Sequence, residues 1–296
     1  MNQNIKSAGI LSLFCVSAVA AFCQTSFTMT KDKGNYYIIT VVNGHDSVWI
    51  FVESGIPGLL INEKDYNALF IDSLFEQVET GYSEIKFQKG SHIVSKIKYG
   101  KVLIGDLSYQ GNIYVIDNYN KIGVPVHLLK NENDSTENMI RFSFKNQTLE
   151  FIGKDVVKTN KMHQYKMKEY NPMPVIETTL SLSDEYGNNG FITGEFIFDL
   201  GNSSPLYITT RNPDMLRFIK SNKFKISTAQ DIYTKDTIGQ GIFAALCRIG
   251  KRTVRNVTVG IINKISIGNT MGLIGPSLFE KGCVIIDTKN KIIYYE

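Results

Sequence analysis

The clearest repeat in this 296-residue chain pairs VWIFVESGIPGLLI, at residues 48–61, with FIFDLGNSSPLYI, at residues 196–208. Each is an apolar run that ends in an acid, passes through one further residue and a glycine, and returns after a short loop to a second apolar run. Glu53 and Asp199 are 146 positions apart, and Gly55 and Gly201 have the same spacing. The pattern indicates two copies of one structural unit.

Later blocks recur at offsets of 144 to 152 residues. We match Lys145-Asn146 with Lys289-Asn290, Gly100-Lys101 with Gly250-Lys251, and Ile122-Gly123 with Ile274-Gly275. Since these matches follow one another in the same order, we expect the whole chain after its first segment to be duplicated.

Within each copy the apolar residues alternate with a period of two, which is typical of half-buried strands. Asn43-Gly44 joins two such runs and predicts a tight hairpin. Helical signals are short and follow the acid-glycine loop of each copy, with Asn62 capping a helix over 63–70 and Asn212 capping one over 213–220. The sequence therefore predicts an all-β protein of two similar β-barrel-like lobes with a few short helices. Further strands are expected at 102–104, 113–117, 147–152, 175–182, 191–198, 254–262, 283–287 and 291–295.

The first 23 residues have the pattern of a signal peptide, with Lys6 ahead of an apolar run at 10–22 that is too short to span a bilayer. Cleavage after Cys23 is favoured over cleavage after Ala20, and a lipid anchor on Cys15 or Cys23 is disfavoured by the preceding phenylalanines. No later run reaches 18 apolar residues, so we expect no stable membrane span in the mature chain. The expected destination is the periplasm, the cell surface or the medium.

The remaining chain divides into an N-terminal lobe at 35–152, a connection at 153–172 and a C-terminal lobe at 173–296. The connection is assigned where lysines and the Asn171-Pro172-Met173-Pro174 corner interrupt the strand pattern. A polar stretch at 131–138 is interpreted as a solvated insertion.

Composition excludes several classes of protein. The chain is 43% apolar with a formal charge of +4, which excludes a disordered protein and gives no support to nucleic-acid binding. Scattered histidines and an isolated Gly239-Gln240-Gly241 run predict neither a metal nor a nucleotide cofactor. Cys247 and Cys283 form a disulfide or serve as two small buried side chains, and the lone Trp49 is predicted to lie in the core.

A duplicated β chain with a strand ending in acid-X-Gly, and a later pair of apolar residues followed by glycine, resembles the pepsin and retropepsin superfamily of aspartic peptidases. The first motif is Glu53-Ser54-Gly55 and Asp199-Leu200-Gly201, and the second is Lys121-Ile122-Gly123 and Leu273-Ile274-Gly275. The resemblance covers residues 35 to 296. It implies a pepsin-type fold with a cleft between the lobes.

The resemblance also implies a peptide hydrolase that needs no cofactor, with peptides or proteins as partners and with Glu53 and Asp199 as the catalytic acids. Two carboxyls about 3 Å apart cannot both ionise, so one proton is shared and the pair activates water. The implied supporting residues are Ser54, Gly55, Gly201, Ile122, Gly123, Ile274 and Gly275. The implied flap lies within 80–98, with Tyr82 or the tip at 89–91 as the contact, and a hairpin at Gly239 and Gly241 is its counterpart unless those glycines mark an ordinary turn.

Two departures from the family pattern leave the function open. Glu53 stands in place of Asp, and Leu200 stands in place of the usual Thr or Ser, so the hydrogen bonds between the two loops are expected to be at most half formed. Three alternatives follow from them: an active aspartic-type hydrolase, a catalytically decayed relative that binds peptides without cleaving them, or an unrelated β-protein in which both acids only cap turns.

Overall fold

The computed structural model of the chain describes residues 25–79, 84–87, 90–131, 139–153, 162–230, 237–263 and 267–296. The predicted signal peptide, Tyr82 and the insertion at 132–138 lie outside these ranges. None of the described helices is long and apolar enough to cross a membrane.

The described residues of the first half form twelve strands and one α-helix. The strands are β1 (Ser26–Asp32), β2 (Asn35–Val42), β3 (His45–Glu53), β4 (Leu59–Ile61), β5 (Glu76–Gln77), β6 (Glu84–Phe87), β7 (Gly90–Ile104), β8 (Leu107–Ile116), β9 (Gly123–Pro125), β10 (Lys130–Asn131), β11 (Met139–Ser143) and β12 (Thr148–Ile152). The helix is α1 (Glu63–Leu69), and short 3-10 helices lie at Asp72–Leu74 and Val126–Leu128.

The described residues of the second half form ten strands and one α-helix. The strands are β13 (His163–Tyr170), β14 (Met173–Asp184), β15 (Asn189–Phe198), β16 (Leu206–Ile208), β17 (Ser227–Gln230), β18 (Thr237–Ile249), β19 (Arg252–Ile261), β20 (Gly272–Ile274), β21 (Cys283–Asp287) and β22 (Ile292–Tyr295). The helix is α2 (Pro213–Ser221), and a 3-10 turn covers Pro276–Phe279.

The two halves repeat one arrangement of strands. In the first half β9 lies between β3, to which it is parallel, and β4, to which it is antiparallel, and β4 then pairs in parallel with β8. In the second half β20 lies in the same way between β15 and β16, and β16 pairs in parallel with β19. The predicted duplication and the all-β fold class are confirmed.

The strand register corrects two of the predicted matches. Val52 pairs with Val124 and Phe198 pairs with Ile274, so Ile274-Gly275 corresponds to Val124-Pro125 and not to Ile122-Gly123. Gly250 turns the chain between β18 and β19 at φ +56°, and its counterpart is Gly105 at φ +58° between β7 and β8, whereas Gly100 lies inside a strand. Matching by residue type failed here because equivalent positions share a backbone conformation and not a side chain.

A six-stranded sheet joins the two halves, in the order β1-β12-β11-β21-β22-β13. Its centre is the antiparallel pairing of β11 with β21, where Phe142 lies opposite Val284. The matched blocks Lys145-Asn146 and Lys289-Asn290 lie at the turns of the hairpins on either side, β11–β12 and β21–β22. Each half therefore contributes three strands to one shared layer.

Part of the predicted connection at 153–172 is a strand of this sheet. β13 occupies His163–Tyr170 and pairs with both β22 and β14, as β1 pairs with β12 and β2 in the first half. Tyr165 and Met167 are buried, and Lys166 and Lys168 alternate with them on the exposed side. The lysines were therefore the outer face of a period-two strand, so the prediction of an irregular connection was wrong for 163–170.

Local signals were more reliable. Asn43 and Gly44 take positive φ angles of 47° and 87° and turn β2 into β3. The side chains of Asn62 and Asn212 accept hydrogen bonds from the first turns of α1 and α2. Among the described residues, the fully buried Cys247 and the half-buried Cys283 are both free, so the disulfide alternative was wrong for this pair.

Candidate active site

The two acids lie at equivalent strand ends and meet between the lobes. Glu53 is the last residue of β3, and Asp199 follows the last residue of β15. A Cβ placed on Gly201 would lie 2.1 Å from the carboxyl carbon of Glu53, and one on Gly55 would lie 2.5 Å from that of Asp199. Each carboxyl therefore packs on the glycine of the opposite loop, where no larger residue fits.

The carboxyls differ in their surroundings. Glu53 is buried, with 6% of its surface exposed, and accepts the backbone N–H of Ser54. Asp199 is half-buried, and its carboxyl accepts the backbone N–H of Gly201 at 3.0 Å, while the N–H of Asn202 donates to the backbone carbonyl of Asp199 at 3.2 Å. The two carboxyls lie close enough to act on each other's pKa, and Oε2 of Glu53 has no hydrogen-bond partner among the described residues.

Burial raises the pKa of both carboxyls. The pKa of Glu53 is raised well above its usual range by burial and then by the neighbouring Asp199. Burial raises the pKa of Asp199 to about 6, against the lowering effect of its backbone donors and of Glu53. Because Glu53 is the more buried acid and its Oε2 has no described partner, whereas the Asp199 carboxyl accepts the N–H of Gly201, the geometry favours a proton on Glu53 and the negative charge on Asp199.

Ser54 makes the only described hydrogen bonds in which a side chain of one acidic loop reaches the backbone of the other. Its hydroxyl donates to the carbonyl of Phe198 at 2.7 Å and accepts the backbone N–H of Leu200 at 2.8 Å. Leu200 is buried and has no hydroxyl with which to return these bonds. The inter-loop hydrogen bonding is thus half formed.

Strands β9 and β20 hold the acidic loops from behind. The backbone N–H of Asp199 donates to the carbonyl of Ile274 at 2.9 Å, and that of Phe51 donates to the carbonyl of Ile122 at 2.8 Å. Gly275 lies against the second loop, where an added Cβ would be 2.1 Å from the carbonyl oxygen of Ser204. Gly123 likewise lies under Tyr119, whose hydroxyl would be 2.8 Å from an added Cβ.

The acids lie in a cleft of about 1460 Å³ lined by both lobes. β6 and β7 form a hairpin within the predicted flap region, and Glu84, Ile85 and His92 from it line the cleft. The ring of His92 packs edge-on against Tyr119 at 5.8 Å. Gly90 and Ser91 belong to β7, and the flap candidate Tyr82 and Lys89 at the tip lie outside the described ranges.

Gly239 and Gly241 do not line the cleft. Both lie within β18, where Gly239 pairs with Ala229 and Gly241 pairs with Ser227 of β17. They are strand residues of the β17–β18 hairpin and not its turn, so the ordinary turn was wrong, and the assignment of this hairpin as a second flap stays a prediction.

The sequence analysis missed an aromatic wall beside Glu53. Trp49 was predicted in the core, but 52% of its surface is exposed and it lines the cleft with Tyr37, Phe51 and Lys121. The signal was available, because residues 49, 51 and 53 share one face of a strand. The side chains on that face, from Trp49 to Glu53, form one wall of the cleft.

Within the described ranges, no group of three His, Cys, Asp or Glu side chains is placed to hold a metal ion. The two carboxyls themselves offer an acid and a base, one carrying a proton and one able to accept one.

Comparison with solved structures gives the same architecture over nearly the whole chain. An aspartic proteinase from Irpex lacteus matches with a TM-score of 0.57 at 14% identity, covering 92% of this chain and 96% of that one. Basic 7S globulin from soybean matches with a TM-score of 0.53 at 7% identity, covering 92% and 94%. No protein-family model and no curated sequence matched. The chain has the bilobal pepsin-like fold, and at these identities the likeness is one of fold alone.

Proposed function

We propose that this chain is an aspartic-type peptide hydrolase in which Glu53 and Asp199 share one proton and activate water. The observation that carries the proposal is that each of these carboxyls lies against the glycine of the opposite loop, in a cleft of about 1460 Å³ lined by both lobes. Coupled carboxyls with raised pKa values are the acid and base that water-mediated cleavage requires.

The geometry gives each acid a role. The Asp199 carboxylate accepts a proton from the attacking water, while Glu53 donates its proton to the carbonyl oxygen of the substrate. The resulting tetrahedral diol collapses when the amide nitrogen takes the proton from Asp199, one diol hydroxyl gives its proton to Glu53, and the C–N bond breaks. The products are a carboxylic acid and an amine, and the pair again holds one proton on Glu53.

The extra methylene of Glu53 is accommodated between the two loops. Its carboxyl carbon and that of Asp199 are nearly equally close to the opposite glycine, and its carboxyl returns to the N–H of Ser54. Shortening it to Asp would withdraw the carboxyl by about 1.5 Å, which costs on the order of a hundredfold in rate. We expect Glu53→Asp to lower cleavage for this reason.

A peptide-binding protein without turnover is the second candidate. The observation that favours it is the one-sided hydrogen bonding of Ser54, because a loosely held pair would bind in the same cleft and cleave poorly. In either case we propose that the chain is exported through its N-terminal segment to the periplasm or the cell surface.

The test is incubation of the purified protein with a diverse peptide library between pH 3 and 8, with products read by mass spectrometry. Asp199→Asn and Glu53→Gln are each expected to abolish cleavage, whereas Glu177→Gln, an exposed carboxyl outside the cleft, should retain it. A folded wild-type protein that cleaves nothing would favour the binding candidate. Cleavage that survives both active-site changes would overturn the catalytic roles of Glu53 and Asp199.

A further inference from the structure

A lysine lies in the cleft close to the two acids. Lys121 belongs to the loop between β8 and β9, and the next residue fixes that loop, since the carbonyl of Ile122 accepts the backbone N–H of Phe51. Its charge acts on Glu53, whose pKa it lowers against the opposing effect of burial. Lys121 is therefore close to the two acids. The residue that follows it is hydrogen-bonded to β3, the strand that carries Glu53.

Aromatic rings hold the ammonium group in place. Nζ of Lys121 lies 3.8 Å from the ring centroid of Phe51 and 5.4 Å from that of Tyr37. Tyr37 packs in turn on Phe51 at 5.2 Å and on Trp49 at 6.0 Å. Cation–π contacts of this kind fix the position of a charge without neutralising it.

Lys121 has no acidic partner among the described residues. Lys31 is paired with Glu280, whereas Lys121 forms no ion pair with any described carboxylate. Asp32, Lys33, Glu84 and His92 also line the cleft. Because Glu53 holds the shared proton, it offsets the ammonium charge only in part.

Lys121 lies where two cavities of the protein meet. A side pocket of about 300 Å³ opens beside the main cleft and shares Tyr37, Trp49, Asn120 and Lys121 with it. Its far wall is formed by α1 at Asp65, Ala68 and Leu69, and the Asp65 carboxylate is occupied by the side-chain amide of Asn62. Lys121 therefore lines both cavities.

We propose that Lys121 selects peptides that carry an acidic side chain at the position lying against the Tyr37–Trp49–Phe51 wall. This inference rests on the proposed function only in that a peptide occupies the cleft. The selection is a property of binding and does not require cleavage. A partly buried ammonium ion with free donors gains a charge-assisted hydrogen bond from a carboxylate and a weaker one from an amide. We therefore expect glutamate to be preferred over glutamine at this position by on the order of tenfold.

Trp49 provides the readout, since it is the only tryptophan in the chain and forms part of the wall. The probes are acetylated octapeptides with a central Phe-Leu pair, each carrying one Glu or one Gln at a chosen position. Each pair is titrated against the full-length protein carrying Asp199→Asn at pH 7, and Trp49 fluorescence gives the two dissociation constants. The same peptide pairs are offered to the wild-type protein as substrates.

At one peptide position we expect about tenfold tighter binding of the Glu peptide, weakening as salt is added. In that background Lys121→Met should reduce the ratio to about one, Lys121→Glu should reverse it, and Lys121→Arg should keep it. Lys130→Met, an exposed lysine outside both cavities, is the matched control and should leave the ratio unchanged.

Equal affinities for every Glu and Gln pair, or a Glu preference that survives Lys121→Met, would overturn the inference even if peptides are cleaved. A Lys121-dependent preference without any cleavage would support it while the hydrolase proposal fails. The two proposals therefore fail separately.

Discussion

The hydroxyl of Ser54 and the backbone N–H of Leu200 are joined by a 2.8 Å hydrogen bond that links the two acidic loops. Ser54 lies at a symmetry-equivalent position to Leu200, so an exact two-fold pair would make this bond twice. Here the bond is made once, because the buried Leu200 has no hydroxyl and contributes only apolar contacts. The loops are therefore held together asymmetrically, by one buried hydroxyl.

Removing that hydroxyl should cost stability. In Ser54→Ala the N–H of Leu200 and the carbonyl of Phe198 both lose their described partner in a fully buried site. We expect a loss of about 2–3 kcal/mol in the free energy of unfolding, measured by urea titration. Ser95→Ala, which removes one hydrogen bond from a more exposed serine, should cost less than 1 kcal/mol, roughly. Equal losses in the two variants would contradict the role of Ser54 as the link between the loops.

Two glycines offer a matched pair of substitutions. Gly201→Ala places a methyl group 2.0 Å from Oε1 of Glu53, so the buried carboxyl must move away from Asp199. We expect on the order of a hundredfold loss of any cleavage and about 1–3 kcal/mol of stability. Gly239→Ala meets no atom within 4 Å and should change neither. Full activity in Gly201→Ala would show that the carboxyls do not need their present contact.

The sequence predicted the parts of this site that depend on local pattern. A strand that ends in an acid, with a glycine two residues later, places a carboxyl at a turn in both copies, and the duplication brings the turns together. It did not predict the register of β9, because Gly123 and Gly275 share a residue type while Pro125 and Gly275 share a position.

The exposure of Trp49 and the surroundings of Lys121 were both missed, because the tertiary structure decides them. Trp49 is apolar and lies between the half-buried Val48 and the buried Ile50, yet its face of β3 opens on the cleft. Lys121 carried no sequence signal, since its aromatic partners are 70 or more positions away in the chain. Side chains that meet only through folding are beyond single-sequence pattern analysis.

The carboxyl pair should reduce stability at neutral pH. The pKa of Glu53 is raised in the folded state, so its contribution is fully present below the unfolded value near 4.5 and is lost as the pH rises. Glu53→Gln removes that loss, and we expect it to raise the free energy of unfolding at pH 7 by at least about 1 kcal/mol. The gain should disappear near pH 3. Glu177→Gln should show no such pH-dependent gain, and a Glu53→Gln protein less stable than wild type at pH 7 would contradict the raised pKa.

A buried histidine should give the opposite pH dependence. His127 lies in the short helix at Val126–Leu128, 3% exposed, with Nε2 3.3 Å from the carbonyl of Pro172 and with Glu169 and Lys291 as its charged neighbours. Burial lowers its pKa from 6.5 to about 4. Between these values the unfolded chain binds more protons than the folded one, so stability present above pH 6.5 is lost as the pH falls toward 4.

His127→Gln removes this titration and should flatten the pH dependence. We expect wild type to lose about 3 kcal/mol more than the variant between pH 7 and pH 4, measured by urea titration at each pH. His45→Gln, on the exposed end of β3, is the control and should follow the wild-type curve. Parallel curves for wild type and His127→Gln would mean that the histidine binds its proton as readily in the folded protein as in the unfolded chain, because water or a nearby acid reaches it.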